Sequence, residues 1–230
     1  MKNIRENKLI LKYSSILENE LNKLINSPKE LLYLVDNIIK NSVEWKFSKD
    51  GNILYPHPYF NEIMGYKTGK LTNKKFSSLQ EASDKEFSIY GIAENSNHIV
   101  TIDSSSSQFG SFLRCFVYDK ELTKMLPIRL PKSYLKGNEF YFEKNSLPSI
   151  RNLVYFLWLD PENQIILSKG MNNKHILIDQ LQYKDDKPDK YITNRIENNE
   201  LYINLFSFIY KDNELEMIKH DLSEHTLYIK

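Results

Sequence analysis

Five histidines, His57, His98, His175, His220 and His225, are the side chains in this sequence best suited to proton transfer or metal binding near neutral pH. They are scattered, and no HxH, HxxxH or HExxH spacing puts two of them on one face of a helix or strand. Only His220 and His225, with Asp221 and Glu224 between them, would meet, and only if a turn folded them together. The ordinary reading of that pair is an exposed turn, so no metal ligand and no cofactor is assigned. His57, between Pro56 and Pro58, has a rigidity that binding loops use, but a proline-flanked histidine is more often a surface turn. Cys115 would be a nucleophile if a neighbouring histidine lowered its pKa. Set between Leu113 and Val117 in a strand-like run, it reads instead as a buried, inert thiol.

The run Ser104-Ser105-Ser106-Ser107 offers hydroxyls and amides in a polar loop, but no GxSxG elbow or GxxxxGK[ST] phosphate loop occurs in the chain. A metal-dependent nuclease needs carboxylates and a lysine at fixed spacing on strand ends. The acid pairs Glu214/Glu216 and Asp185/Asp186, and the stretches Glu216–Lys219 and Glu143-Lys144, do not supply that spacing. Alternating acids on an outer strand also discourage edge-to-edge aggregation, which is sufficient reason for them. No dinucleotide fingerprint, cysteine-based zinc site or EF-hand loop is present, so no catalytic residue is assigned from local motifs.

The elements that would position these groups are organised around residues 87–119, two β-branched and aromatic runs separated by the serine loop. Ser88–Ala93 and His98–Asp103 read as a hairpin across Glu94–Asn97. Phe112–Tyr118 reads as a strand apolar on both faces, with Arg114 at the rim or paired. Upstream, Leu9, Leu11, Tyr13, Ile16, Leu17, Leu21, Leu24 and Ile25 predict an amphipathic helix over residues 5–26. Ser27-Pro28-Lys29-Glu30 starts a second helix, with Ser27 as cap and Pro28 at the first position. Val43, Trp45 and Phe47 then alternate into a hairpin whose turn is Asp50-Gly51 and whose return is Ile53-Leu54-Tyr55. Residues 60–80, with Gly65, Gly69, Lys67, Lys70, Lys74 and Lys75, read as a solvated basic connector.

Downstream, three aromatic strands each lead through an acidic turn into a returning strand, at 116–130, 155–168 and 208–219. The fold expected is α+β and mainly antiparallel, with two N-terminal helices packed on a large curved meander. The domain expected is single over 1–230, with a helical hairpin at 1–42 and the sheet at 43–230. The spacing of the hairpins makes a propeller-like repeat the alternative.

The totals narrow the partners. Lys plus Arg number 31 against 30 Asp plus Glu, so the chain lacks the basic excess that drives non-specific nucleic-acid binding. The first eighty residues carry 13 basic and 8 acidic side chains, which leaves the rest acidic by four. A single cysteine excludes an internal disulfide, and no stretch approaches the length of a membrane span, so a cytoplasmic protein is expected. The wealth of Asn, Lys and Ile matches the coding bias of an AT-rich genome.

The stretch 87–119, a strand, a polar loop and a second strand ending in Tyr118-Asp119 after helical elements, resembles the central strand pair of SUKH-type immunity proteins over about a seventh of the chain. The Leu-Pro and Asn-Gly elements that the family carries upstream are absent here. The resemblance implies a protein that masks a toxin. Together with the abundant tyrosines, it leads to the expectation of a non-enzymatic, cytoplasmic binding protein of the immunity or antitoxin kind, whose partner is a basic toxin or enzyme. The contact residues expected are Glu197, Glu200, Tyr202, Tyr210, Asp212, Glu214, Glu216 and Asp221. The alternative is a hydrolase or nuclease with dispersed acidic and histidine residues. A single-strand nucleic-acid binder using Lys67–Lys75 with Tyr55, Tyr59 and Tyr66 ranks third.

Overall fold

The computed structural model describes residues 6–49, 53, 59–64, 69–93, 98–103, 112–118, 122–129, 135–141, 147–197, 200–223 and 226–229. Among them the elements are, in order, α1 (Lys8–Asn26), α2 (Pro28–Lys40), β1 (Ser42–Lys49), α3 (Phe60–Met64), β2 (Lys70–Thr72), α4 (Leu79–Asp84), β3 (Ser88–Ala93), β4 (His98–Asp103), β5 (Phe112–Tyr118), β6 (Leu122–Arg129), β7 (Leu135–Lys136), β8 (Glu139–Phe140), β9 (Ser149–Ile150), β10 (Asn152–Asp160), β11 (Asn163–Gly170), β12 (Leu177–Lys184), β13 (Lys187–Glu197), β14 (Glu200–Lys211), β15 (Glu214–His220) and β16 (Thr226–Ile229). The fold is α+β with an antiparallel meander, as the periodicities predict. The chain divides into two compact units, one of Met1–Asn19, Tyr55–Tyr66 and Val154–Lys230, the other of Glu20–Leu54 and Lys67–Leu153.

In the first unit, β10 to β16 lie side by side in chain order, so each strand pairs with the strand that follows it. This is one ladder rather than a set of four-stranded blades, and the propeller alternative does not describe it. Two of its turns follow directly from backbone chemistry. Asp185 and Asp186 join β12 to β13 with φ of 51° and 61°, and Asp212 and Asn213 join β14 to β15 with φ of 49° and 68°. Two consecutive left-handed residues match the twist of the flanking strands, and Asp and Asn are the side chains that tolerate that backbone best after glycine. Asp185/Asp186 is thus a turn pair, not a pair of acids on a strand face. The first part of α1 buries Ile10, Tyr13 and Leu17 at helical spacing. Its Glu18 carboxylate lies 3.0 Å from the Lys169 ammonium on β11, which also donates to the Lys174 carbonyl at 3.1 Å. Lys169 is only 8% exposed, so these two acceptors offset the cost of taking its charge from water.

In the second unit the strand order is β6, β5, β4, β3, β1, β2, with β9 also beside β6. The predicted hairpin of residues 88–103 and the pairing of 112–118 with 122–129 are both present. Register places Ile89, Ile102, Leu113, Ile128 and Ile150 directly opposite one another across five strands, and each is buried. The adjacent row is Trp45, Gly91, Val100, Cys115 and Leu126. The other face of β5 is covered at Phe116, while Tyr118 is half-exposed, and Arg114 is half-buried. The latter part of α1 ties to this unit through Glu20 and Lys124, 2.8 Å apart. α2 packs on β1 and β4.

Two local expectations are corrected, and a third falls mostly outside the described residues. Pro28 does open α2, but the Ser27 side chain makes no capping bond. The Ser27 carbonyl accepts from the Glu30 and Leu31 amides, and Glu30 pairs with Lys23 at 3.0 Å. Of the hairpin expected after β1, Asp50-Gly51 and Leu54-Tyr55 lie outside the described residues. β1 has β2 on one side and β3 on the other, and the Ile53 amide donates to the Tyr90 hydroxyl at 3.0 Å. That hydroxyl also pairs with buried Ser48 at 2.7 Å. Residues 60–80 are not a plain connector, since their described part holds α3, β2 and the start of α4.

Cys115 is fully buried, and burial pushes its thiol up to about 12. The native protein is expected to resist an aromatic disulfide reagent at mildly alkaline pH and to react stoichiometrically in urea. Rapid labelling of the folded protein would contradict the packing of β5.

Candidate functional site

The expected contact residues all fall in the first unit, on β13, β14, β15 and their turns, but at different places. Glu197 and Glu200 face each other in register beside the β13–β14 turn; their side chains lie outside the described residues. Asp212 forms the turn at the far end of β14, with Glu214 opposite Lys211. β14 has 12 residues, which at about 3.3 Å per residue separates these two groups by roughly 36 Å. Glu216 is the extra residue of a bulge, since Ile209 faces Met217 while Tyr210 faces Leu215. Asp221 lies near the middle of the ladder, where its amide donates to the Leu205 carbonyl at 2.8 Å and its carboxylate accepts from Ser207 Oγ at 2.7 Å.

The two tyrosines differ. Tyr210 is engaged inside the unit: its hydroxyl donates to the Pro188 carbonyl at 2.8 Å, its ring lies 6.3 Å from Tyr59, and the Lys187 ammonium sits 5.4 Å from its centroid. Burial, and then the Tyr59 phenol, push its pKa well up. Tyr202 is 45% exposed. On the opposite face of the same strand, Ile203 and Ile209 are 47% and 39% exposed. Alternation and register put Met217, Lys219, Ser207, Lys211 and Glu214 on the face of Ile209, and the Ser207 bond brings Asp221 there. Along this face Ile203 and Leu205 come first, then Ser207 with Lys190, Lys219 and Asp221 beside it, then Ile209 with Met217, then Lys211 with Glu214, so apolar and charged groups alternate. Of the acids singled out by sequence, Glu214 and Asp221 lie on this face, together with Lys190, Lys211 and Lys219.

Of the histidines, His175 is exposed, His57 and His225 lie outside the described residues, as does the side chain of His98. His220 holds a turn: its Nδ1 accepts from the Ser223 amide at 3.1 Å and pairs with Ser223 Oγ. Its other nitrogen, which must then carry the proton, reaches Asn204 Oδ1 at 3.2 Å. Asn204 Nδ2 reaches Thr193 Oγ1 at 3.3 Å, and Tyr191 donates to Asp179 at 2.9 Å. Polar bonds thus link neighbouring strands from β12 to β15. Among the described residues no three His, Cys, Asp or Glu side chains gather as a metal set. Ser104–Ser107 lie outside the described residues.

No family model, curated protein or solved structure matches the chain. The likeness to SUKH-type immunity proteins therefore rests on residues 87–119 alone.

The lysines of 67–75 divide as well. Lys67 is outside the described residues, and Lys70 lies on the edge strand β2. Lys74 places its ammonium 5.3 Å from the centroids of both Phe76 and Phe87. Sequence reading missed Ile203 and Ile209, although LYINLFSFIY is apolar at consecutive positions. A strand apolar on both faces must either be covered twice or leave one face open. It also missed Ser78 as the cap of α4, where Ser78 Oγ accepts from the Glu81 amide at 3.1 Å. The Glu81 carboxylate accepts from Ser77 and pairs with Lys85, and these bonds hold its pKa down to about 2.

Proposed function

We propose that the chain is a non-enzymatic protein-binding module of the immunity or antitoxin kind, which masks a partner protein through the outer strands of its first unit. The observation that carries this reading is the exposure of Ile203 and Ile209 on one face of β14, with Met217 opposite Ile209 and charged side chains between and beyond them. Protein interfaces mix exposed apolar anchors with charged and polar groups, and a nucleic-acid surface would not call for the acids. Glu214 and Asp221 lie on this face with Lys190, Lys211 and Lys219, and Asp212 and Glu216 adjoin it at the turn and the bulge, so it offers charges of both signs to a partner. Tyr202 extends the contact around the edge of the same strand.

The test is recovery of the partner from the native cell by crosslinking to the full chain, repeated with Ile203→Glu and Ile209→Glu. Each exposed position tolerates the change without unfolding, which circular dichroism verifies. Loss of a central apolar contact weakens such interfaces by about tenfold or more. A specific partner retained at full affinity by the double variant refutes the assignment of this face.

A further inference from the structure

The second unit contains a surface cavity of about 740 Å³ between β1, β2, the segment 73–78 and the β7–β8 turn. Its size is that of a small-ligand site. Trp45, Phe47 and Phe76 supply half-buried rings to its wall, and Lys74, Lys75 and Asn73 supply exposed polar groups.

The rings are held in place. Phe76 packs edge-on against Phe47 at 4.8 Å and against Phe87 at 4.9 Å. Trp45 lies directly across from Gly91, where a methyl group would stand 2.8 Å from its ring. The α4 side of the cavity is also fixed: Gln80 and Gly137 exchange hydrogen bonds of 2.9 and 2.8 Å, and the Leu79 amide donates to Asn138 at 2.8 Å. Glu44 and Lys46 border the cavity but pair with each other at 3.3 Å, on the face of β1 opposite to Trp45 and Phe47. The nearby Glu81 carboxylate is committed to Ser77 and Lys85. Lys75 and Asn73 make no hydrogen bond or ion pair among the described residues.

A preformed aromatic wall beside cations with no carboxylate partner is complementary to a flat ring that carries negative charge. We infer that this cavity binds a mononucleotide-class ligand, its phosphate on Lys74 and Lys75 and its base against Trp45 and Phe47. Ring stacking and charge-assisted bonds each contribute, and neither depends on the partner face of the first unit.

The chain has two tryptophans, Trp45 and Trp158, so the full-length Trp158→Phe protein reports on the cavity alone. Adenosine monophosphate is expected to quench Trp45 fluorescence saturably. Lys75→Ala is expected to weaken that binding about tenfold, and inorganic phosphate is expected to leave the fluorescence unchanged. Lys75 is exposed, so the variant keeps its fold. The inference is overturned by the absence of saturable quenching at millimolar nucleotide, by equal affinity in Lys75→Ala, or by binding of a single-stranded oligonucleotide with none of the mononucleotide.

Discussion

Leu113→Ala is expected to destabilise the second unit by about 2–5 kcal/mol, the usual cost of truncating a leucine with no room to relax. Leu113 has no exposed surface, and in register it stands between Ile102 and Ile128, both also fully buried. Beyond them in the same row come Ile89 and Ile150. These β-branched neighbours are stiff about their first side-chain torsion, so they do not swing in to fill the space left behind. The measurement is urea denaturation, read as a lower midpoint at unchanged slope. A loss below about 1 kcal/mol would mean that the row is not the packed centre of this unit.

Gly91→Ala is expected to cost about 1–3 kcal/mol, although it adds a single methyl group to a strand. That methyl would stand 2.6 Å from Ser42 Oγ, 2.7 Å from Val100 Cγ1 and 2.8 Å from the Trp45 ring. The serine hydroxyl can turn aside. Val100 is fully buried and Trp45 is directly opposite, so one of them must shift against neighbours already in contact. Glycine in a strand ordinarily weakens it, and replacement by alanine would ordinarily help. The expected sign is therefore the reverse of what propensity alone gives, which makes the thermal midpoint of this variant a sensitive check. A rise would show that Trp45 does not lie over the β3 backbone.

Where the pattern was strong and local, the sequence foretold the structure. α1 follows from apolar residues three and four apart, and the β3–β4, β5–β6 and β14–β15 hairpins follow from β-branched runs broken by turn formers. Where pairing was long-range, it was not legible. β1 takes as one of its partners Lys70–Thr72, a strand of only three residues far along the chain. Nothing in a single sequence announces such a pairing. The cavity wall was invisible for the same reason: Trp45, Phe47, Phe76 and Lys75 belong to segments whose proximity depends on β2 and on the Ser78 cap of α4. The contact residues were drawn from an acidic stretch read as one surface. Register disperses them along β14, because a bulge at Glu216 and a strand of 12 residues separate side chains that are close in sequence.

The ladder from β10 to β16 has a kinetic corollary. Because each strand there meets the one made just after it, closing any pair requires only a short loop, and the entropy lost in each closure is small. Sheets dominated by distant pairings fold slowly, whereas a meander of nearest neighbours has low contact order for an all-strand segment and can zip hairpin by hairpin. The left-handed pairs Asp185-Asp186 and Asp212-Asn213 would act as starting points for that zipping, one at the β12–β13 reversal and one at the β14–β15 reversal.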